Sequence, residues 1–136
     1  MTIAAHASRT RPERIMHVDD EDDIRAVAKL SLESIGNFTV LSCESGEAAL
    51  KHVSSFDPDL ILLDVMMPGL SGPDVLAELK KVPDVHKVPV VFMTAKVQHG
   101  EVAHLMALGA AQVIEKPFDP VVLPERIADI WREHSQ

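Results

Sequence analysis

A short apolar run that ends in an acid constrains the fold of this chain more than any other feature. Residues 60–63 are all apolar, the dipeptide Asp57-Pro58 precedes them, and Pro68-Gly69 follows. A run this short with no polar face is typical of a strand that is buried on both sides, at the centre of a parallel sheet. Asp64 would then lie at the carboxyl end of that strand, where open parallel sheets bind their ligands. The sequence therefore marks Asp64 as a candidate functional residue.

Strand patterns alternate with helix patterns five times along the chain. Apolar strands are predicted at residues 14–18, 38–43, 60–63, 89–93 and 112–115, and each is followed by a helical pattern. This alternation predicts an α/β protein with a five-stranded parallel sheet and helices on both faces. Residues 1–13 show no periodicity, so we expect a flexible N-terminal tail followed by one domain over residues 14–136.

Local signals place the helix ends. We expect Gly36 to end the first helix in a left-handed conformation, Ser45 to cap the second, and Gly72-Pro73 to begin the third. Asp119-Pro120 is interpreted as the start of the last helix, although Pro124 then falls inside its early turns.

Composition excludes several classes of function. Lys and Arg number 13 against 21 Asp and Glu, for a formal charge of −8, which argues against direct nucleic-acid binding. No apolar run is long enough to span a bilayer, so we expect no membrane contact. The one cysteine, Cys43, permits no internal disulfide and suits a reducing compartment. We expect a soluble cytoplasmic protein.

The ends of the predicted strands collect polar residues that belong together chemically. Asp19 and Asp20 follow the first strand, Asp64 the third, Thr94 the fourth and Lys116 the fifth. Two carboxylates about 4 Å apart repel by roughly 4 kcal/mol at an effective dielectric constant near 20, so the cluster needs a cation. Oxygen ligands favour Mg²⁺ over Zn²⁺. With a lysine and a hydroxyl nearby, these groups would stabilise a phosphoryl group on a carboxylate.

Histidine 17 falls inside the first strand. No second His or Cys matches it as a metal ligand, so we interpret His17 as a hydrogen-bonded core residue.

The motifs Asp19-Asp20, Asp64 followed by Val-Met-Met-Pro-Gly, Thr94-Ala95 and Lys116-Pro117-Phe118 occur in an order that resembles one family. They are similar to the receiver domain of bacterial two-component response regulators. The resemblance implies a flavodoxin-like, doubly wound fold with strand order 2-1-3-4-5, and a cis peptide bond before Pro117.

The resemblance also implies a role for each motif residue. Asp64 would be the phosphoacceptor, and it would bind Mg²⁺ together with Asp20, with Asp19 through a water, and with the backbone carbonyl of Met66. Thr94 and Lys116 would hold the phosphoryl oxygens, assisted by the backbone N–H groups of Met66 and Ala95.

The function implied is that of a phosphorylation-controlled switch rather than an enzyme. A histidine kinase or histidine phosphotransfer protein would phosphorylate Asp64, and an unknown downstream protein would read the changed surface. The fourth helix, fifth strand and fifth helix would form the output and dimerisation surface. The family usually carries Tyr or Phe on the fifth strand, where this chain has Val113 and where no tyrosine occurs at all.

Two alternatives remain open from the sequence. One is a small phosphatase that forms an aspartyl-phosphate intermediate, but such enzymes usually carry a second acid shortly after the nucleophile, where Val65-Met66 offers none. The other is a phosphate-independent interaction module on the same fold. Val113, in place of the usual aromatic residue, is compatible with this alternative. The complete set of acids, together with Thr94 and Lys116, argues against it.

Overall fold

A single parallel sheet organises the protein. The computed structural model describes residues 10–95 and 98–135. The strands are Arg14–Val18 (β1), Thr39–Cys43 (β2), Leu60–Asp64 (β3), Val90–Thr94 (β4) and Gln112–Glu115 (β5). They pair in parallel in the order β2-β1-β3-β4-β5, which confirms the predicted fold and strand order.

The helices lie on both faces of this sheet. They are Asp22–Leu30 (α1), Gly46–Phe56 (α2), Gly72–Leu79 (α3), His99–Ala107 (α4) and Leu123–His134 (α5). Along β3, Ile61 and Leu63 join the cluster that includes residues of α2, α3 and α4, whereas Leu60 and Leu62 join the cluster that includes residues of α5. Alternate residues of a strand point to opposite faces, so a strand buried on both sides needs the continuous apolar run that the sequence shows.

The first helix ends differently from the prediction. Its last turn, Ser31–Ile35, is π-helical, and the Gly36 N–H donates to the carbonyl of Ser31, five residues back. Gly36 keeps right-handed angles (φ −87°), and Asn37 adopts the left-handed conformation instead (φ 59°). The prediction of a left-handed Gly36 is therefore wrong, because the wide turn moves the chain reversal by one residue. Glycine is still needed there, since a Cβ would lie 2.7 Å from the Leu32 carbonyl oxygen.

The last helix starts later than the sequence suggested. Asp119 accepts hydrogen bonds from Val121 N–H through its side chain and from Val122 and Leu123 N–H through its carbonyl. These bonds form a turn, and the helix begins after it, so the prediction of a start at Asp119-Pro120 is wrong. Pro124 consequently lies in the first helical turn, where its missing N–H costs nothing.

The other two predicted helix starts are confirmed. The Ser45 hydroxyl accepts from Ala48 N–H at the start of α2. At the start of α3, Ser71 and Asp74 each accept from the backbone N–H of the other, with Pro73 in the first turn.

Contacts of the residues around the start of β1 fix the chain where it enters the sheet. Residues 1–9 of the predicted tail lie outside the described residues. The Arg11 guanidinium stacks 4.6 Å from the centroid of the Phe38 ring, and the Asp59 carboxylate accepts from the N–H groups of Glu13 and Arg14. In the ranges 10–95 and 98–135, every helix is too short or too polar to cross a lipid bilayer.

Candidate functional site

Backbone hydrogen bonds continue the sheet past its strand ends and align the polar residues there. Asp19 N–H donates to the Cys43 carbonyl (3.0 Å), which carries β1 one residue further along β2. Lys116 N–H donates to the Thr94 carbonyl (2.9 Å), so the lysine is fixed beside the end of β4. The carboxyl edge of the sheet therefore brings together Asp19, Asp64, Thr94 and Lys116, as the sequence predicted.

The Lys116 ammonium joins two of the acids. It donates to Oδ2 of Asp19 at 3.1 Å and to Oδ1 of Asp64 at 3.2 Å, and Oε1 of Glu21 lies 3.7 Å from it. Burial acts to lower the pKa of Lys116, but the hydrogen bond and charge of Asp19, with those of Asp64, outweigh it and raise the pKa above its ordinary value. Lys116 therefore carries its charge at neutral pH.

Three carboxylates converge on one point. Asp19, Asp20 and Asp64 each offer an oxygen, and these oxygens lie within 4.8 Å of one another. Asp19 and Asp64 are buried, whereas Asp20 is more open to solvent. A cluster of carboxylate oxygens that contains neither His nor Cys fits the ligand preference of Mg²⁺.

The electrostatics of Asp64 reflect this crowding. Burial, and after it the negative charge of Asp19, raise the pKa of Asp64 to about 6, against an opposing effect of Lys116. A raised pKa means that the folded protein pays a free-energy cost to ionise Asp64, which a bound cation would relieve. The site therefore favours the binding of a cation in addition to the Lys116 ammonium.

Two residues that the sequence analysis did not single out hold Asp19 in place. The backbone N–H of Glu21 donates to Oδ1 of Asp19 at 2.9 Å, and the Arg25 guanidinium donates to the Asp19 carbonyl at 2.8 Å. The only signal in the sequence is that Arg25 follows the acids by about one helical turn. Asp22 and Asp23 lie in the first turn of α1.

The loop after β3 is closed by a glycine. Gly72 N–H donates to the Val65 carbonyl (2.9 Å), and a Cβ on Gly72 would lie 2.4 Å from the Asp64 carbonyl oxygen. Only glycine allows so close an approach to the backbone of Asp64. The sequence indicated Gly72 as a helix start but not this contact.

The remaining predicted residues lie at the same edge. Thr94 is buried at the end of β4, and Ala95 follows it with an exposed side chain. Met66 follows Asp64 by two residues, and this residue is 67% exposed. The Lys116-Pro117 peptide bond is cis, as the resemblance implied. The roles of these residues toward a phosphoryl group and a metal stay predictions.

His17 is buried as predicted, but no residue in the described part of the chain forms a hydrogen bond with its ring. Neither ring nitrogen has a partner among the described residues. The neighbouring strands place Ser42 and Leu62 at its level in the sheet, and the Ser42 hydroxyl also lacks a partner there. The prediction of a hydrogen-bonded histidine is therefore wrong. Burial lowers the pKa of His17 to about 4, so the ring is neutral at neutral pH.

Comparison with known proteins identifies the family. Residues 15–128 match the family model described as response regulator receiver domain. This chain belongs to the response regulator receiver domain family. Receiver domains act in two-component signalling through a phosphoacceptor and generally bind Mg²⁺ at an acidic pocket, and Asp19, Asp20 and Asp64 form an acidic cluster in this chain.

Individual relatives agree with this assignment. The receiver domain is 38% identical over 120 residues to "Probable transcriptional regulator ycf27" of Porphyridium aerugineum, covering 88% of this chain and 48% of that protein. It is 35% identical over 120 residues to the alkaline phosphatase synthesis transcriptional regulatory protein PhoP of Bacillus subtilis, covering 88% of this chain and 49% of that one. The chain thus spans about half the length of the curated relatives it matches.

A solved structure shows the same architecture. The receiver domain superposes on a response regulator from Desulfuromonas acetoxidans with a TM-score of 0.77 and 30% sequence identity, covering 85% of this chain and 93% of that one. Both the family and the fold predicted from the sequence are confirmed.

Proposed function

We propose that Asp64 accepts a phosphoryl group from a histidine kinase or a histidine phosphotransfer protein. Mg²⁺ would be held by Asp19, Asp20, Asp64 and the backbone carbonyl of Met66. The phosphorylated domain would present a changed surface to a downstream protein. The observation that supports this proposal is the Lys116 ammonium, which is hydrogen-bonded to Asp64 and Asp19 within a cluster of acids that it only partly neutralises.

The chemistry follows from the position of the Asp64 carboxylate. An ionised oxygen of Asp64 attacks phosphorus, the P–N bond of a phosphohistidine breaks, and the imidazole leaves with the bonding electrons. A pKa near 6 leaves Asp64 mostly ionised at neutral pH. Lys116 and Thr94, which flank Asp64 at the sheet edge, would then donate hydrogen bonds to the phosphoryl oxygens, assisted by the N–H groups of Met66 and Ala95.

The metal would supply charge. When bound, Mg²⁺ would offset the repulsion among the three carboxylates and the oxygens of the transferring group. Catalysis of this kind depends on positioning and charge neutralisation, which suits a domain that assists its own phosphorylation without turning over a substrate.

The conformational change would begin at the hydrogen bond between the Lys116 N–H and the Thr94 carbonyl, at the ends of β5 and β4. Phosphorylation adds about −1.5 to −2 charge beside Lys116 and Thr94, and this favours whichever preexisting state brings them closer to the phosphoryl group. The Lys116 N–H bond to the Thr94 carbonyl couples the ends of the two strands. Val113 is buried on β5 and cannot act as the usual aromatic switch, so the signal would pass through the backbone of β5.

The test is to incubate the protein with Mg²⁺ and acetyl phosphate and to weigh it intact. Wild type should gain the mass of one phosphoryl group, Asp64→Asn should gain none, and a chelator should abolish the gain. Asp57→Asn is the matched control, because Asp57 is an exposed acid whose left-handed backbone (φ 56°) asparagine tolerates.

Other outcomes would point to the alternatives. Phosphoryl mass that persists in Asp64→Asn would contradict the assignment of the phosphoacceptor. Sustained release of phosphate from a phosphomonoester would favour the phosphatase. A wild-type protein that gains no mass with Mg²⁺ and acetyl phosphate would favour the phosphate-independent interaction module.

A further inference from the structure

The side chain of Glu21 has an unexpected position at the start of α1. Glu21 is the N-cap residue of this helix, yet its side chain makes no capping hydrogen bond. Its carboxylate instead lies toward the cluster of Asp19, Asp64 and Lys116, with Oε1 3.7 Å from Nζ of Lys116. The side chain is 60% exposed, so it can leave this position without disturbing the core.

We infer that Glu21 is a positioning residue that acts through Lys116. Its carboxylate competes with an incoming phosphoryl group for the ammonium, and its charge strengthens the binding of a divalent cation at the neighbouring acids. This inference rests on the proposed function, because it concerns the same site.

The geometry around the ammonium supports this role. A lysine has three N–H donors, and here two of them serve Asp19 and Asp64. Glu21 supplies a third carboxylate to the same ammonium at ion-pair distance. A phosphoryl group on Asp64 would need Lys116 as a donor and would be repelled by the charge of Glu21.

The charge of Glu21 has the opposite effect on a bound cation, which it attracts. Mg²⁺ at Asp19, Asp20 and Asp64 is repelled by Lys116 and attracted by Glu21. Neutralising Glu21 should therefore lower the affinity for the cation and raise the rate of transfer from an anionic phosphodonor. A loss of folding or a general distortion of the site would impair both.

Solvent limits the size of the effect. A pair of which one partner is largely exposed is well screened, so we expect changes of about two- to fivefold in each direction. Both changes should shrink as the ionic strength rises.

The experiment compares Glu21→Gln with Asp23→Asn. Glutamine keeps the shape of the side chain and the backbone N–H that donates to Asp19, and only the charge is lost. Asp23 is an exposed acid in the first turn of the same helix, so its neutralisation controls for the general change in charge. Calorimetric titration with Mg²⁺ measures cation affinity, and intact mass measures the initial rate of phosphorylation by acetyl phosphate at saturating Mg²⁺.

In Glu21→Gln the Mg²⁺ affinity should fall about two- to fivefold and the phosphorylation rate should rise by a similar factor, both by more than in Asp23→Asn. Equal behaviour of the two variants, or a fall in both quantities for Glu21→Gln, would overturn the inference while leaving the proposed function intact. If the wild type gains no phosphoryl mass, the proposed function fails and the inference fails with it.

Discussion

Nζ of Lys116 lies 3.2 Å from Oδ1 of Asp64, although 52 positions separate the two residues along the chain. They meet because β3, β4 and β5 are neighbouring parallel strands, so their carboxyl ends lie at the same edge of the sheet. The Lys116 ammonium faces the carboxylates of Asp19, Asp64 and Glu21, so negative charge is in excess among these four side chains. This imbalance explains why the properties of the site should respond to cations, to pH and to the loss of Lys116.

Replacing Lys116 by methionine should lower the stability of the metal-free protein and raise its affinity for Mg²⁺. The two buried carboxylates lose their shared donor, which should cost about 1–3 kcal/mol of unfolding free energy near neutral pH. Mg²⁺ no longer competes with a fixed cation, so it should bind more tightly. Urea denaturation and calorimetric titration measure the two effects.

The exposed pair between Lys81 and Glu78 provides the control for that experiment. Lys81→Met should change stability by less than about 1 kcal/mol, because exposed ion pairs contribute little. An unchanged or weaker Mg²⁺ affinity in Lys116→Met would contradict the proposed competition.

Asp64→Asn should stabilise the metal-free protein at neutral pH. The pKa of Asp64 is about 6 in the folded protein against an ordinary 3.8, so between these values the folded state binds more protons than the unfolded state. The stability that protonated Asp64 contributes is therefore present below pH 3.8 and lost as the pH rises through 6. At about pH 7.5 the variant should exceed wild type by up to about 3 kcal/mol.

Urea denaturation in a chelating buffer at several pH values measures this difference, which should vanish toward acid pH. Asp57→Asn, at an exposed acid, is the control variant. A constant gap between wild type and Asp64→Asn across the whole range would show that burial of the charge is not its cause.

His17→Leu should give a pH dependence of opposite sign. Burial holds the pKa of His17 near 4, below the ordinary 6.5, so the unfolded state binds more protons between these values. Wild type therefore loses stability as the pH falls from 6.5 toward 4, whereas a leucine at this position does not titrate. The variant should gain up to about 3 kcal/mol over wild type across that interval.

Denaturation curves of His17→Leu and of the exposed control His52→Leu, measured between neutral and acid pH, test this expectation. The leucine variant should also be at least as stable as wild type near neutral pH, since it removes two ring nitrogens that have no partner among the described residues. A large loss of stability at neutral pH would indicate that the imidazole makes a favourable contact in solution.

Gly72→Ala should destabilise the fold and disturb the loop after Asp64. The new Cβ would lie 2.4 Å from the Asp64 carbonyl oxygen and 2.9 Å from Cα of Val65, so the backbone must shift. We expect a loss of about 1–3 kcal/mol and a reduced rate of phosphorylation.

Gly100 provides the contrast, because a Cβ there meets nothing within 4 Å. Gly100→Ala lies in α4 and should raise stability by about 0.5–1 kcal/mol through helix propensity. Thermal denaturation of both variants distinguishes the two effects, and equal stabilities would contradict them.

Most of the fold could be predicted from the sequence because its signals are local. The apolar run before Asp64 and the alternation of strand and helix patterns together imply a parallel sheet, and the carboxyl ends of its strands must then share one edge. The errors arose where a local signal had two structural solutions. Gly36 and Asn37 can each reverse the chain after a helix, and the π-helical turn selected Asn37. Asp119 can begin either a helix or a turn, and here it begins a turn.

The sequence by itself indicated the principal polar residues of the site, since each follows a predicted strand and the carboxyl ends of parallel strands share one edge of the sheet, whereas the strand order was implied by the family resemblance. Only the tertiary structure decided how those residues interact. The raised pKa of Asp64, the orientation of Glu21 toward Lys116 and the burial of the His17 ring depend on distances across strands. These quantities are set by atoms far apart in the chain, and the spacing of residues along the sequence carries no record of them.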